Sequence, residues 1–271
     1  MAEVRLDTAL AARGIARSRT VAARMIADGV VRIDGAQALK ASALVSDEQT
    51  VTVDIEEHYV SRAAYKMLGA LDEFEVDPTG QLALDVGAST GGFTQVLLER
   101  GADHVIALDV GHGQLVPELR ADRRVTVIEG VNARGLNPTN FAELTASAAV
   151  PTLVVADLSF ISLSHVLPAL RSVAAPDADF VLLIKPQFEV GKQSIREGVV
   201  RDAGLRSAAI ADVLWAAWDT GLGTAGLTRS PIVGGSGNQE YLVWLSSTRG
   251  VNPTEWEPRV PSIAGLTKAG A

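Results

Sequence analysis

The spacing of apolar residues changes twice along this chain, and the changes mark out its elements. Near the start, Leu6, Leu10 and Ile15, then Val21, Ala22, Met25 and Ile26, recur at helical intervals. Ser18 stands where a helix cap is favoured and Gly29 where a helix stops, so two short helices are predicted. Val30, Val31 and Ile33 run into the turn pair Asp34-Gly35, and Val51-Thr52-Val53 supplies a closing strand, which predicts a small sheet. Residues 54–60 form a polar connector, after which Ala64, Met67, Leu68, Leu71 and Phe74 line one helical face. Short apolar runs at 82–86, 105–110, 125–128, 153–156, 180–184 and 241–245 then alternate with helical stretches. That alternation predicts an α/β fold with a doubly wound, mostly parallel sheet. The expected organisation is a small α/β unit over 1–55, a linker over 56–63, the large domain over 64–249 and a loosely held tail over 250–271.

Composition narrows the function. No run of about eighteen uncharged apolar residues exists, and Arg5, Arg13, Arg17, Arg19 and Arg24 interrupt the first thirty, so neither a spanning helix nor a signal peptide is expected. A cytoplasmic protein without stable membrane association is the expectation. The absence of cysteine excludes disulfides, thiolate metal sites and cysteine nucleophiles, and four scattered histidines predict no metal site. A formal charge of −8 argues against coating nucleic acid by bulk electrostatics, because phosphate binding needs Lys and Arg to displace counterions. Residues 1–46 nevertheless hold Arg5, Arg13, Arg17, Arg19, Arg24, Arg32 and Lys40 against Glu3, Asp7, Asp28 and Asp34. Any nucleic acid is therefore met locally, at this end.

The first strand of the large domain leads into Asp85-Val86-Gly87-Ala88-Ser89-Thr90-Gly91-Gly92-Phe93, with a helix directly after. Open α/β sheets bind ligands at such strand ends, and glycines let backbone approach a ligand closely. The spacing Gly-x-x-x-Gly-Gly departs from the Gly-x-Gly-x-x-Gly of dinucleotide sites. S-adenosylmethionine, which carries no phosphate, is the better fit: Asp85 suits its ammonium and sulfonium, and Asp109, followed by Val110, is placed for two ribose hydroxyls. Asn132 and Ala133, after the third strand, are candidates to flank an adenine, with an ordinary turn role for Asn132 as the alternative. Asp157 and Lys185 end the fourth and fifth strands, Glu240 opens the last, and Lys66 lies on the helix that enters the domain.

Ser61-Arg62-Ala63-Ala64-Tyr65-Lys66, the 85–94 and 155–162 segments, 185–192 and Ser236-Gly237-Asn238-Gln239-Glu240-Tyr241 together resemble the TlyA family of ribosomal RNA 2'-O-methyltransferases. Members of that family also carry the name hemolysin A. The resemblance spans residues 4–248 and implies an N-terminal RNA-binding module of the ribosomal-protein-four type on an FtsJ-type methyltransferase domain. It implies Lys66, Asp157, Lys185 and Glu240 as a catalytic tetrad, and a cytidine of ribosomal RNA in assembled subunits as substrate. It also implies RNA contacts from Arg5, Arg13, Arg17, Arg19, Arg24, Lys40 and Arg62 and a link to capreomycin-like antibiotics. The sequence is silent on oligomeric state, and a monomer docking onto a larger particle is the default expectation.

The residue types suit that chemistry. A ribose hydroxyl needs a base to draw off its proton, and methyl displacement depends mostly on positioning. Lys185 is the natural base, favoured in its neutral form by desolvation and by Lys66 and opposed by Asp157, a balance the sequence leaves open. Two surface salt bridges at strand ends are the structural alternative. Base carbon-5 methylation in its usual form needs a cysteine, which is absent. Exocyclic amine methylation usually places Asp or Asn before Pro-Pro-aromatic, where this chain has Asp157-Leu158-Ser159-Phe160. Phe160 itself reads either as a base-stacking ring or as core. A pore-forming hemolysin or a non-catalytic RNA binder are the rival functions.

Overall fold

The structure is a computed structural model that describes residues 4–16, 18–27, 29–38, 40–53, 58–190 and 198–266. Its chain divides into two units, Met1–His58 and Tyr59–Ala271.

In the first unit β1 (Val4–Arg5) leads into α1 (Leu6–Ala12) and α2 (Arg19–Ala27), followed by β2 (Val31–Ile33), β3 (Ala36–Gln37), β4 (Leu44–Val45) and β5 (Val51–Val53). Strand β2 is central in an antiparallel β3-β2-β5 sheet, and β1 pairs with β4. The β2–β3 turn places Asp34 at φ 49° and Gly35 at φ 84°, the left-handed pair that matches the twist of a two-residue hairpin. Leu6, Leu10, Ala22, Ile26 and Val31 close a small core. Strands β1, β3 and β4 escaped the sequence reading because two residues are too few to show an alternation.

The second unit runs α3 (Ala64–Phe74), β6 (Leu82–Val86), α4 (Gly92–Glu99), β7 (His104–Asp109), α5 (Pro117–Arg120), β8 (Val125–Glu129) and α6 (Pro138–Thr145). It continues with β9 (Leu153–Ala156), α7 (Leu167–Val173), β10 (Asp179–Ile184), α8 (Pro186–Glu189), α9 (Ala203–Asp219), β11 (Gly223–Arg229), β12 (Tyr241–Ser246) and α10 (Val260–Ala264). The sheet order is β11-β12-β10-β9-β6-β7-β8. Strands β10, β9, β6, β7 and β8 are mutually parallel, and β12 is antiparallel to both its neighbours. The α/β fold class expected from the alternating runs is the one observed. Strand β11 was not anticipated, since Gly223, Thr224, Gly226 and Thr228 dilute its apolar signal; it sits at the sheet edge with a bulge between Thr224 and Gly226.

Side chains alternate across each strand, so the sheet fills two cores. Leu84, Val86, Ile106 and Leu108 pack with Phe141, Leu167 and Ile210 on one face. Ala83, Val105 and Ala107 pack with Met67, Leu71 and Leu97 of α3 and α4 on the other. Two boundary expectations need correction. Residues 59–63 belong to the large unit rather than to a linker: the Val60 amide donates to Gln95 Oε1 at 2.9 Å and the Tyr59 ring meets Tyr65 edge-on at 5.5 Å. Residues 250–266 are not a loose tail. Val260 and Ala264 are buried, Trp256 Nε1 donates to the Thr224 carbonyl at 3.0 Å, and Arg206 and Arg229 donate to the last carbonyls of α10. Proline and glycine there shape a short helix and its exit instead of preventing one.

Candidate active site

The parallel strands end at one edge of the sheet, and the loops leaving them build the site. The turn from β6 to α4 holds Gly87 at φ 83°, Ser89 at φ 49° and Gly91 at φ 103°. A Cβ on Gly87 would lie 2.9 Å from the Asp157 carbonyl oxygen, so this backbone is pressed against the exit of β9. Gly91 answers to packing: a side chain there would enter Leu115 and Leu119. Beside the turn is a cavity of about 440 Å³, walled by Gly87, Ser89, Asp109, Val110, Asn132, Ala133 and Asp157 among others. That volume suits a nucleoside-sized ligand. Asp109 Oδ2 accepts from the Ser89 amide at 2.8 Å and Oδ1 from the Gly111 amide at 2.7 Å, which fixes the carboxylate while each oxygen keeps a lone pair. Asn132 makes a turn bond, its Oδ1 accepting from the Arg134 amide at 3.0 Å, and it also lines the cavity.

Asp85 departs from expectation. It shares strand parity with Ala83, so it points under α4, wholly buried, and lines neither this cavity nor the next. Thr94 Oγ1 donates to Asp85 Oδ2 at 2.7 Å, and Oδ1 is left without a hydrogen-bond partner. Burial raises its carboxyl to about 7, opposed by the Thr94 bond and reinforced by Asp157.

A second cavity of about 380 Å³ shares Gly87, Ser89, Asp157 and Ser159 with the first and adds Ala88, Thr90, Gly92, Phe93, Arg62, Lys66 and Lys185. Lys66, Asp157 and Lys185 converge on it, and Glu240 stands behind Lys66, buried and outside the lining. Lys66 Nζ lies 3.1 Å from Asp157 Oδ2 and 2.8 Å from Glu240 Oε2, and Lys185 Nζ lies 2.6 Å from Asp157 Oδ1. Asp157 therefore holds one lysine on each oxygen. The contacts of Asp157 Oδ1 and Glu240 Oε2 run off the hydrogen-bonding direction, leaving both oxygens in ion contact alone. Topology explains the meeting: because β12 is antiparallel to β10, Ile184 pairs with Tyr241, and the start of one strand delivers Glu240 beside the Lys185 that ends the other. Gly234 is small because a side chain would occupy the place of Glu240 Oε1. Burial works against the charge of Lys66, but Asp157 and Glu240 together outweigh it and hold the ammonium above its ordinary value.

Several neighbours carried no sequence signal. Gln114 lines the first cavity and meets Ser89 Oγ at 3.2 Å; Ser159 Oγ accepts from Lys185 Nζ at 2.9 Å. Phe160, which the sequence left between core and stacking, is 91% exposed at φ 66°, its ring centre 5.2 Å from that of Phe188. Glu189 is half-buried, its carboxyl pushed up by desolvation, and it accepts from Ser162 Oγ and the Leu163 amide, tying the Phe160 loop to α8.

Within the small unit, Arg5 and Arg19 both pair with Asp7, at 2.9 and 3.2 Å, and hold its carboxyl well below the usual range. Arg13 donates to the Ser46 and Gln49 carbonyls, and Lys40 is exposed. Arg17 and the Arg24 side chain lie outside the described residues.

An FtsJ-like methyltransferase family profile matches residues 59–247, and an S4 domain profile matches residues 4–51. TlyA of Mycobacterium tuberculosis (strain CDC 1551 / Oshkosh), named as a 16S/23S rRNA (cytidine-2'-O)-methyltransferase, is 52% identical over 89% of this chain and 89% of its own. The chain belongs to the TlyA family of FtsJ-like methyltransferases. Another TlyA-family relative, the protein named Hemolysin A in Brachyspira hyodysenteriae, is 38% identical over 88% of this chain and 98% of its own. A solved structure from Streptococcus thermophilus, also named as a hemolysin, superposes with a TM-score of 0.72 at 34% identity, covering 97% of this chain and 95% of that one. No helix among the described residues of this TlyA-family chain is long and apolar enough to cross a membrane.

Proposed function

We propose that this chain methylates the 2'-hydroxyl of a cytidine ribose in ribosomal RNA, with S-adenosylmethionine as donor, on assembled subunits in the cytoplasm. The observation that carries the reading is the ion network of Lys66, Asp157, Lys185 and Glu240, three of which line a cavity that shares its glycine turn with a nucleoside-sized one. The mycobacterial relative named for this activity supports it.

S-adenosylmethionine, when bound, supplies a methyl group made electrophilic by its sulfonium. The residues present fit it: Asp109 offers anionic acceptors for two hydroxyls, and Gly87, Asn132 and Ala133 line the nucleoside-sized cavity beside it. Lys185 receives the proton of the ribose hydroxyl and must be neutral to do so. Asp157 holds both lysines at fixed distance, which is what an in-line displacement requires. Lys66 stays cationic between its two carboxylates, and Glu240 orients Lys66 and the hydroxyl. The exposed Phe160 ring offers a stacking face for the target base, and Arg62 stands at the cavity edge for a phosphate. Residues 1–55 form the RNA-recognition module, with Arg5, Arg13, Arg17, Arg19, Arg24 and Lys40 as phosphate contacts. The protein works as a monomer docked on the ribosome, and its methylation bears on capreomycin-like antibiotics.

The test is transfer of labelled methyl from S-adenosylmethionine into unmodified ribosomal subunits, with positions mapped by resistance of 2'-O-methylated linkages to alkali. Label in ribose of a cytidine, lost with Lys185→Ala, is expected. Label in a base, or label independent of Lys185, overturns the reading.

A further inference from the structure

Lys185 has an unusual set of neighbours for a lysine asked to work as a base. Its Nζ touches Asp157 Oδ1 at 2.6 Å, but off the hydrogen-bonding direction. The aligned hydrogen bond that it makes among the described residues goes instead to a neutral acceptor, Ser159 Oγ, at 2.9 Å. Both residues line the second cavity, and Ser159 also lines the first, so the pair stands at the junction of the two. Lys185 is 8% exposed while Ser159 is on the exposed side.

Ser159 takes one hydrogen-bonding direction of Nζ, and the second cavity, which Lys185 lines, lies open to it. The chemistry of the acceptor matters as much as its position. A carboxylate rewards only the ammonium form, whereas a hydroxyl accepts from either form of the amine and can turn its own hydrogen to a lone pair. A second carboxylate in the place of Ser159 would make the neutral amine harder to reach. Among the described residues, Asp157 after β9 touches Nζ, Lys66 of α3 shares that carboxylate with Glu240 beyond it, and Arg62 lines the same cavity.

We propose that Ser159 is the positioning residue for Lys185, aiming Nζ at the ribose hydroxyl without favouring the ammonium; this rests on Lys185 acting as the base. The step it serves moves the hydroxyl proton onto the neutral Nζ as the ribose oxygen takes the methyl group and the sulfonium becomes a thioether.

The experiment measures kcat, KM for S-adenosylmethionine and the pH–rate profile on unmodified ribosomal subunits for Ser159→Ala, Ser159→Thr and Ser159→Asp. Ser159→Ala is expected to lower kcat roughly ten- to a hundredfold with KM for the cofactor unchanged, in keeping with the cost of a small misplacement. Ser159→Thr, which keeps the hydroxyl, restores most of that loss, and Ser159→Asp moves the rising, low-pH limb of the profile to higher pH. Wild-type kcat in Ser159→Ala, Ser159→Thr as slow as Ser159→Ala, or a Ser159→Asp profile that does not move, each overturns the proposal. Lys185→Ala separates the layers: full activity in that variant removes the base itself, while an inactive Lys185→Ala beside a normal Ser159→Ala removes only the positioning role.

Discussion

The two units carry their positive charge in opposite ways. In Met1–His58, Arg5 and Arg19 share one carboxylate, Asp7, and their side chains remain 47% and 61% exposed. In Tyr59–Ala271, Lys66 and Lys185 are each 10% exposed and share Asp157, with Glu240 completing the balance. The arginine heads reach solvent and are screened by salt, although the Asp7 carboxylate that they share is buried. Buried pairs are screened far less, so removing one partner strands a charge and changes the protonation of the rest. On the proposed function, the same contact type serves recognition in one unit and chemistry in the other.

The sharpest way to break this contrast is Lys185→Ala, which is expected to cut methyl transfer by about 10²- to 10⁴-fold, the usual worth of a positioned base. Cofactor binding measured by calorimetry should survive in that variant, and Arg19→Ala should leave kcat on a saturating substrate intact. Lys66→Met comes next: it leaves Asp157 and Glu240 buried together without their common cation, and should cost about 3–5 kcal/mol in urea unfolding besides activity. A loss below about 1 kcal/mol would place Lys66 with the surface arginines.

Asp85 sharpens the comparison through pH. Its folded value of about 7 lies above the ordinary 3.8, so the folded state binds the extra proton between the two. Its contribution is fully present below about pH 4 and lost as pH rises through 7. Asp85→Asn cannot be charged, so its thermal midpoint relative to wild type should rise from pH 5 to pH 8; a constant difference would contradict the buried carboxyl. The smallest effect belongs to Arg19→Ala, which should weaken binding to ribosomal subunits a fewfold and flatten the log-affinity against log-salt slope by about 0.7–0.9 for one lost phosphate contact. An unchanged slope would assign Arg19 to Asp7 alone.

Much of the fold was legible because buried parallel strands read as continuous apolar runs, as at Leu82–Val86 and Leu153–Ala156. Edge strand β11 was not, since an edge needs fewer apolar residues and Gly226 is there to clear the Phe74 ring. Cofactor-loop residues were legible from glycine spacing after a strand, but Gly91 turned out to answer to Leu115 and Leu119, and Asp85 to the core. Ser159, Gln114 and Glu189 left no trace, because their partners come from other loops.

By itself the sequence determined the order of strands and helices, the glycine turn, the basic end, and which charged residues stand at strand ends, all of which follow from local spacing and chemistry. Tertiary structure alone decided that Glu240 meets Lys66, that Asp157 divides its oxygens between two lysines, and that Asp85 faces inward. Those facts depend on the antiparallel placement of β12 and on the parity of β6, which bring together or turn away residues that no spacing rule connects.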